Sequence, residues 1–281
     1  MIEGRGLVSR VLRLYLPLLL CLVAMLFPFY WMLVTSIKPN RELYSQKIMP
    51  LIVYQPTLKH YYDLLSETNF LLWTYNTMLV AVVTTLISLV LGAMIAYPLA
   101  RMNFPGAAVV AIGVAATYLV PQPLLFIPMA DIINRLELNN TLSAVMLTYP
   151  TLLIPFSAWL LMGYFKSVPR ELEEAARIDG ASRFQAMWRV VLPLTTPGLL
   201  SAGIFAFTLA QNEFLYALIF LSKSEVRTVP VGAITELIRG DVFYWGQLMA
   251  AAMLGSIPVA VIYSFFVDYY VAGLTAGSVK S

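Results

Sequence analysis

The 281-residue chain is 60% hydrophobic and only 12% charged, with 18 Lys and Arg against 15 Asp and Glu for a formal charge of +3. Soluble domains carry about 25% charged residues, so a chain this poor in charge cannot cover a globule with polar groups and must be solvated by lipid. The small basic excess gives no footprint for nucleic acid, and one cysteine (Cys21) with one histidine (His60) allows neither a disulfide nor a Cys- or His-built metal centre.

A helix that crosses a bilayer needs about 20 mostly apolar residues. Six segments satisfy this: 14–36, 72–100, 107–129, 143–165, 197–221 and 247–270. Backbone polar groups have no partner in lipid, so these segments must be helices. The fold class expected is an all-α membrane protein with six transmembrane helices. In the first segment Cys21 follows Leu18-Leu19-Leu20; a lipoprotein signal requires a small residue before the cysteine, so Cys21 reads as a lipid-facing or packed thiol. The apolar run is also too long for a signal-peptide core. Residues 37–71 hold Pro39, Pro50, Pro56 and several tyrosines, which predicts an ordered outer loop with a short helix near 57–66 and His60 on its surface. With the N-terminus inside, only a small majority of the 18 Lys and Arg residues is cytoplasmic, a weak vote under the positive-inside rule.

The connection between the fourth and fifth segments, KSVPRELEEAARIDGASRFQAMWRVVLPLTTP, carries most of the remaining information. Pro169 suits a helix start, and Glu171 and Glu173 complement the positive helix end. Leu172, Ala175 and Ala176 are predicted on one face, with Glu173, Glu174 and Arg177 opposite. Gly180 then terminates the helix. Ser182 and Gln185 form a capping box for a second helix, along which Phe184, Met187, Trp188 and Val191 make an apolar stripe. By pattern alone, this pair suits either a protein contact or an amphipathic rest on the bilayer surface.

Glu174-Ala175-Ala176, Asp179-Gly180-Ala181 and Leu192-Pro193 reproduce in type and spacing the signature of permease subunits of binding-protein-dependent ABC importers. Tyr75-Asn76-Thr77, Tyr97-Pro98-Leu99-Ala100-Arg101 and Asn212-Glu213-Phe214 resemble the carbohydrate-type branch. The resemblance implies a type I ABC importer permease fold with cytoplasmic coupling helices. It assigns ATPase coupling to Glu173, Glu174, Ala175, Ala176, Asp179, Gly180, Leu192 and Pro193, with Glu173 and Glu174 as salt-bridge partners for a basic group on the ATPase. The C-terminus, through Gly273, Leu274, Thr275, Ala276 and Gly277, resembles a tail that enters the interface between two ATPase subunits. The implied organisation is an N-terminal segment and first helix over 1–36, a periplasmic loop over 37–71, a permease core over 72–270 containing the coupling loop 166–196, and a cytoplasmic tail over 271–281. The implied partners are a second permease subunit, two ATP-binding subunits, and a periplasmic or lipid-anchored solute-binding protein. ATP and Mg would be bound by the ATPase subunits and no cofactor by this chain. The implied location is the bacterial inner membrane with both termini cytoplasmic. Two positions depart from the family: Gln211 stands where Trp is usual, and Glu137 where Gly precedes Leu138.

The chain has no GxxxxGK sequence, so it supplies no phosphate-binding loop of its own. Glu213 is the one carboxylate well inside an expected span, where a charge costs about 2.5–3.5 kcal/mol on insertion scales. It must therefore face protein or a wet cavity, lining a substrate path or holding a neighbouring helix. Asn76, Tyr118, Gln122, Gln211 and Asn212 complete the candidate path for a sugar, whose ring faces suit aromatics and whose hydroxyls suit amides. Successive helix positions differ by about 100°, so Gln211, Asn212 and Glu213 cannot all face one way. The competing reading is a secondary transporter or channel subunit for a small polar solute. That class usually shows paired intramembrane charges or a repeat, neither of which the sequence offers.

Overall fold

A computed structural model describes residues 11–276. The described residues are almost entirely helical, with one two-residue strand pair, Ile238–Arg239 (β1) against Val242–Phe243 (β2). The described residues separate into two compact units, one of 11–70 and 233–257, the other of 71–232 and 258–276.

In the first unit, α1 (Leu12–Ile37) is long and apolar enough to cross a membrane, and its middle is exposed. Cys21 lies on that exposed surface. The loop that follows is fixed by polar groups rather than by a large core. The Lys38 ammonium donates to the carbonyls of Met49 (2.9 Å) and Pro50 (2.7 Å), while the Glu42 carboxylate accepts from the backbone N–H of Tyr54 and Gln55. The helices here are α2 (Asn40–Leu43) and α3 (Lys59–Glu67). His60 is not a surface residue as expected. It is buried on α3, with Nε2 2.8 Å from the Lys38 carbonyl, and its ring lies against Gly246 where a Cβ would stand only 2.3 Å away. A polar ring with a carbonyl partner can be buried at little cost, and hydropathy alone does not reveal that partner.

The second unit contains α4 (Phe70–Arg101, but for its first residue), α5 (Ala107–Tyr118), α6 (Gln122–Arg135), α7 (Leu142–Thr148), α8 (Pro150–Ser167), α9 (Arg170–Ile178), α10 (Arg183–Leu194), α11 (Thr196–Gln211) and α12 (Leu215–Phe220). The helix α13 (Val229–Leu237) begins in this unit, and α14 (Trp245–Ala276) ends in it. Two apolar clusters hold the unit together. One joins α4, α6, α8, α11 and α12 through residues such as Val80, Ile133, Leu153, Phe207 and Tyr216. The other joins α4, α8 and α10 through Ala93, Ala96, Leu161, Phe165, Met187 and Val191. Small residues on α4 allow helices to approach closely where lipid offers no hydrophobic drive for association; a Cβ on Gly92 would already sit 3.0 Å from that of Ser157.

Four helical stretches are individually long and apolar enough to cross a membrane: Leu12–Ile37, Phe70–Arg101, Leu142–Ser167 and Trp245–Val267. The other two expected spans are not straight. Residues 107–129 divide into α5 and α6, bent by 93°, and the segment from 197 to 221 breaks after Gln211. Pro121 and Pro123 explain the first break, because proline removes an N–H and disfavours helix in the preceding residue. The second contains no proline and is explained by Glu213, described below.

The departure at Glu137 also has a physical consequence. Its N–H bonds the Asn134 carbonyl and that of Leu138 bonds Ile133, a helix-ending Schellman pattern. Glu137 itself has φ +55°, in the left-handed region. The family glycine expected there is the residue this turn favours.

Candidate functional site

The loop between α8 and α11 is built as two short helices at a tight corner. Pro169 occupies the N-cap position of α9, and Gly180 follows its end with φ +93°. The Gly180 N–H reaches the Arg177 carbonyl and the Ala181 N–H the Ala176 carbonyl, again closing the helix in a Schellman motif. Ser182 and Gln185 then form the capping box reciprocally, at 3.2 and 2.9 Å. Within α10 the turn Met187–Val191 is π-helical. This divides the expected apolar stripe: Met187 and Val191 are buried, whereas Phe184 and Trp188 remain exposed with their rings 6.0 Å apart. Beyond the loop, α10 and α11 meet at 80°.

The faces of α9 differ from those expected. Glu173 and Ala176 turn toward the protein, while Leu172, Glu174, Ala175 and Ile178 are exposed. Glu173 is engaged within the chain itself. Its carboxylate accepts from the Tyr97 hydroxyl at 2.5 Å and pairs with the Arg101 guanidinium at 3.0 Å. Arg101, almost wholly buried, also donates to the carbonyls of Val168 (2.8 Å) and Pro169 (3.3 Å). Glu174 makes no ion pair among the described residues. The depression on the other side of the corner is lined by Ala176, Asp179, Gly180 and Ala181 with Gln185 and Arg189 of α10. Leu192 is buried, whereas Pro193 is exposed.

Four of the six candidate path residues line one cavity of about 550 Å3: Tyr118, Gln122, Asn212 and Glu213, together with Thr117, Thr151 and Thr208. Tyr118 ends α5 and Gln122 begins α6, while Asn212 and Glu213 lie between α11 and α12. The cavity is thus walled by both helix breaks. Glu213 accepts from the backbone N–H of Tyr216 (2.9 Å) and Ala217 (3.1 Å), and from Gln122 Nε2 (2.7 Å). The break exposes N–H groups that an unbroken helix would consume, and the carboxylate satisfies them. An acid in an apolar segment was the available sequence signal for this cap. Asn76 is not in the cavity; it is buried, with Nδ2 donating to the Glu225 and Arg227 carbonyls, so it holds the chain that leads into α13. Gln211 is buried outside the lining as well. The three threonines are missed by a search for amides, acids and aromatics, because threonine in a helix ordinarily bonds its own backbone. Tyr97 and Arg101, which hold Glu173, read from sequence only as the end of a span.

Of the C-terminal residues Gly273, Leu274, Thr275, Ala276 and Gly277, the first four continue α14 as backbone and Gly277 lies outside the described residues.

Residues 88–275 match the family described as the inner membrane component of binding-protein-dependent transport systems. The chain belongs to that family. Among its relatives, the sulfoquinovosyl glycerol transport permease SmoH of Agrobacterium fabrum is 38% identical, across 92% of this chain and 90% of that protein. The trehalose/maltose transport permease MalG of Thermococcus litoralis is 34% identical, across 97% of each. The crystal structure of a bacterial ABC transporter involved in import of the acidic polysaccharide alginate contains a chain with a TM-score of 0.78 and 21% identity, covering 95% of this chain and 99% of that one. The fold is that of a type I ABC importer permease, and the protein is a permease rather than an enzyme in its own right. Within this permease, the signature residues Glu174 to Gly180 form the second half of α9 and its C-terminal turn.

Proposed function

We propose that this permease crosses the inner membrane six times, α5 with α6 contributing one crossing and α11 with α12 another, and forms half of a pathway for a sugar or sugar derivative. A second permease subunit supplies the other half, two ATPase subunits drive it, and a solute-binding protein delivers the substrate. The exposed face of α9, carrying Glu174 and Ala175, receives the ATPase. This arrangement puts the 166–196 loop and both termini on the cytoplasmic side.

The observation that carries the reading is the pairing of an exposed, signature-bearing helix corner with a cavity walled by two broken helices in the same chain. Helix breaks within a membrane are tolerated where the backbone lines a cavity. The relatives named for trehalose, maltose and sulfoquinovosyl glycerol support a sugar-type substrate. Tyr118, Gln122, Asn212 and the threonines would meet it, while Glu213 is already engaged by three donors. Co-purification from the native membrane, followed by thermal-shift screening of the recovered binding protein against neutral and acidic sugars, tests this. Recovery of a sugar-responsive binding protein with two ATPase copies is expected; transport by this chain without an ATPase would instead favour the channel or secondary-transporter reading.

A further inference from the structure

We propose that Tyr97, Arg101 and Glu173 form a polar joint that couples displacement of α9 to the end of α4, making all three positioning residues for alternating access. The proposal rests on the reading of α9 as the ATPase contact. Among the described residues of α9 none is buried, so apolar packing alone does not bind this helix firmly to the bundle. Its inward contact is instead concentrated at Glu173, which meets a hydroxyl and a guanidinium from α4. Arg101 extends the joint to the carbonyls of Val168 and Pro169, gripping the chain as it enters α9. The Tyr97 hydroxyl also lies 3.2 Å from the Arg183 carbonyl, where α10 begins. One cluster thus holds the start of α9, its first turn and the start of α10 to a single helix end.

The electrostatics favour a rigid connection. Arg101 ends α4, where the helix dipole is negative, and Glu173 lies near the start of α9, where it is positive. Both side chains are shielded, with 2% and 13% exposure, so their attraction is less weakened by water and salt than that of a surface pair. α4 runs without interruption from this joint back to Phe70, over 32 residues. Force applied to Ala175 or Ile178 therefore has a direct polar route into a spanning helix, in addition to the covalent links at either end of α9.

The test uses the assembled complex of this chain with its co-purifying permease and ATPase subunits, in a Cys21→Ser background with Asn212→Cys as a cavity reporter. ATP plus vanadate traps the closed ATPase, and maleimide labelling of the reporter reads the permease response. The expected result is that trapping changes labelling roughly tenfold in the reporter protein, as suits a coupling free energy, and that Glu173→Gln or Arg101→Met retains trapping but loses most of this response. Arg101→Lys, which keeps the charge, retains a larger part of it. A reporter response in Glu173→Gln equal to the parent would overturn the proposal, as would a proportional loss of trapping and response, which marks a purely structural contact. If Glu173→Gln fails to assemble, Tyr97→Phe decides between the same outcomes. Glu174→Lys distinguishes the underlying reading: if that variant traps and responds normally, α9 is not the ATPase contact and the joint falls with it. If Glu174→Lys disrupts trapping while Glu173→Gln behaves as the parent, only the joint falls.

Discussion

Glu213 shows how an expensive residue can be inexpensive in place. An unpaired carboxylate in an apolar segment is costly, but here two backbone N–H groups and the Gln122 amide are directed at it. Glu213→Ala would leave those neutral donors without their partner, and each buried donor left unsatisfied costs about 1–3 kcal/mol. Glu213→Gln keeps an acceptor oxygen and should cost less than half as much. Thermal unfolding of the purified permease in detergent measures both, and equal loss in the two variants would contradict the capping role. Glu137 offers the converse case. Its left-handed backbone carries strain of about 1–2 kcal/mol for a residue with a Cβ. Glu137→Gly relieves that strain but increases the freedom of the unfolded chain by about 0.4–1 kcal/mol. The net expectation is a small gain in stability, measurable in the same melt; a lower melting temperature would show that the Glu137 side chain makes an offsetting contribution.

Among the elements, hydropathy located the six apolar segments but could not give their direction. Transfer free energy is a property of composition, whereas a 93° turn depends on which N–H groups are missing or capped. Pro121 and Pro123 made the first break legible in retrospect; the break at Glu213 requires knowing that Gln122 arrives from another helix. The corner between α9 and α10 was more readable because its chemistry is local: Gly180 supplies the left-handed turn and Ser182 with Gln185 the cap. What local pattern misjudged was the orientation of Glu173, since its partner Arg101 is 72 residues away. The corner gives a direct prediction. Gly180→Val forces a β-branched residue into φ +93°, where it is strongly disfavoured. Nothing lies within 4 Å of the added Cβ, so the effect is backbone strain and not a clash. The variant should insert in the membrane normally yet recover much less ATPase on co-purification; normal recovery would mean that the turn geometry is not needed for assembly.

At the scale of the whole molecule, the permease leaves apolar groups uncovered on α9. Ile178 is 86% exposed and Leu172 45% exposed on a helix that the proposed topology places in the cytoplasm. These side chains, beside the small Ala175, form a surface that another protein can approach closely and cover. Ile178→Cys in a Cys21→Ser background should therefore react readily with a water-soluble maleimide in the isolated permease. In the complex with its ATPase the same cysteine should be protected, with labelling slowed by about tenfold or more, corresponding to at least about 1.4 kcal/mol of occlusion. The isolated permease should also hydrolyse no ATP, since it has no GxxxxGK sequence. Equal labelling with and without ATPase would place the contact elsewhere on the molecule, and ATP hydrolysis by the purified chain would remove the need for that partner altogether.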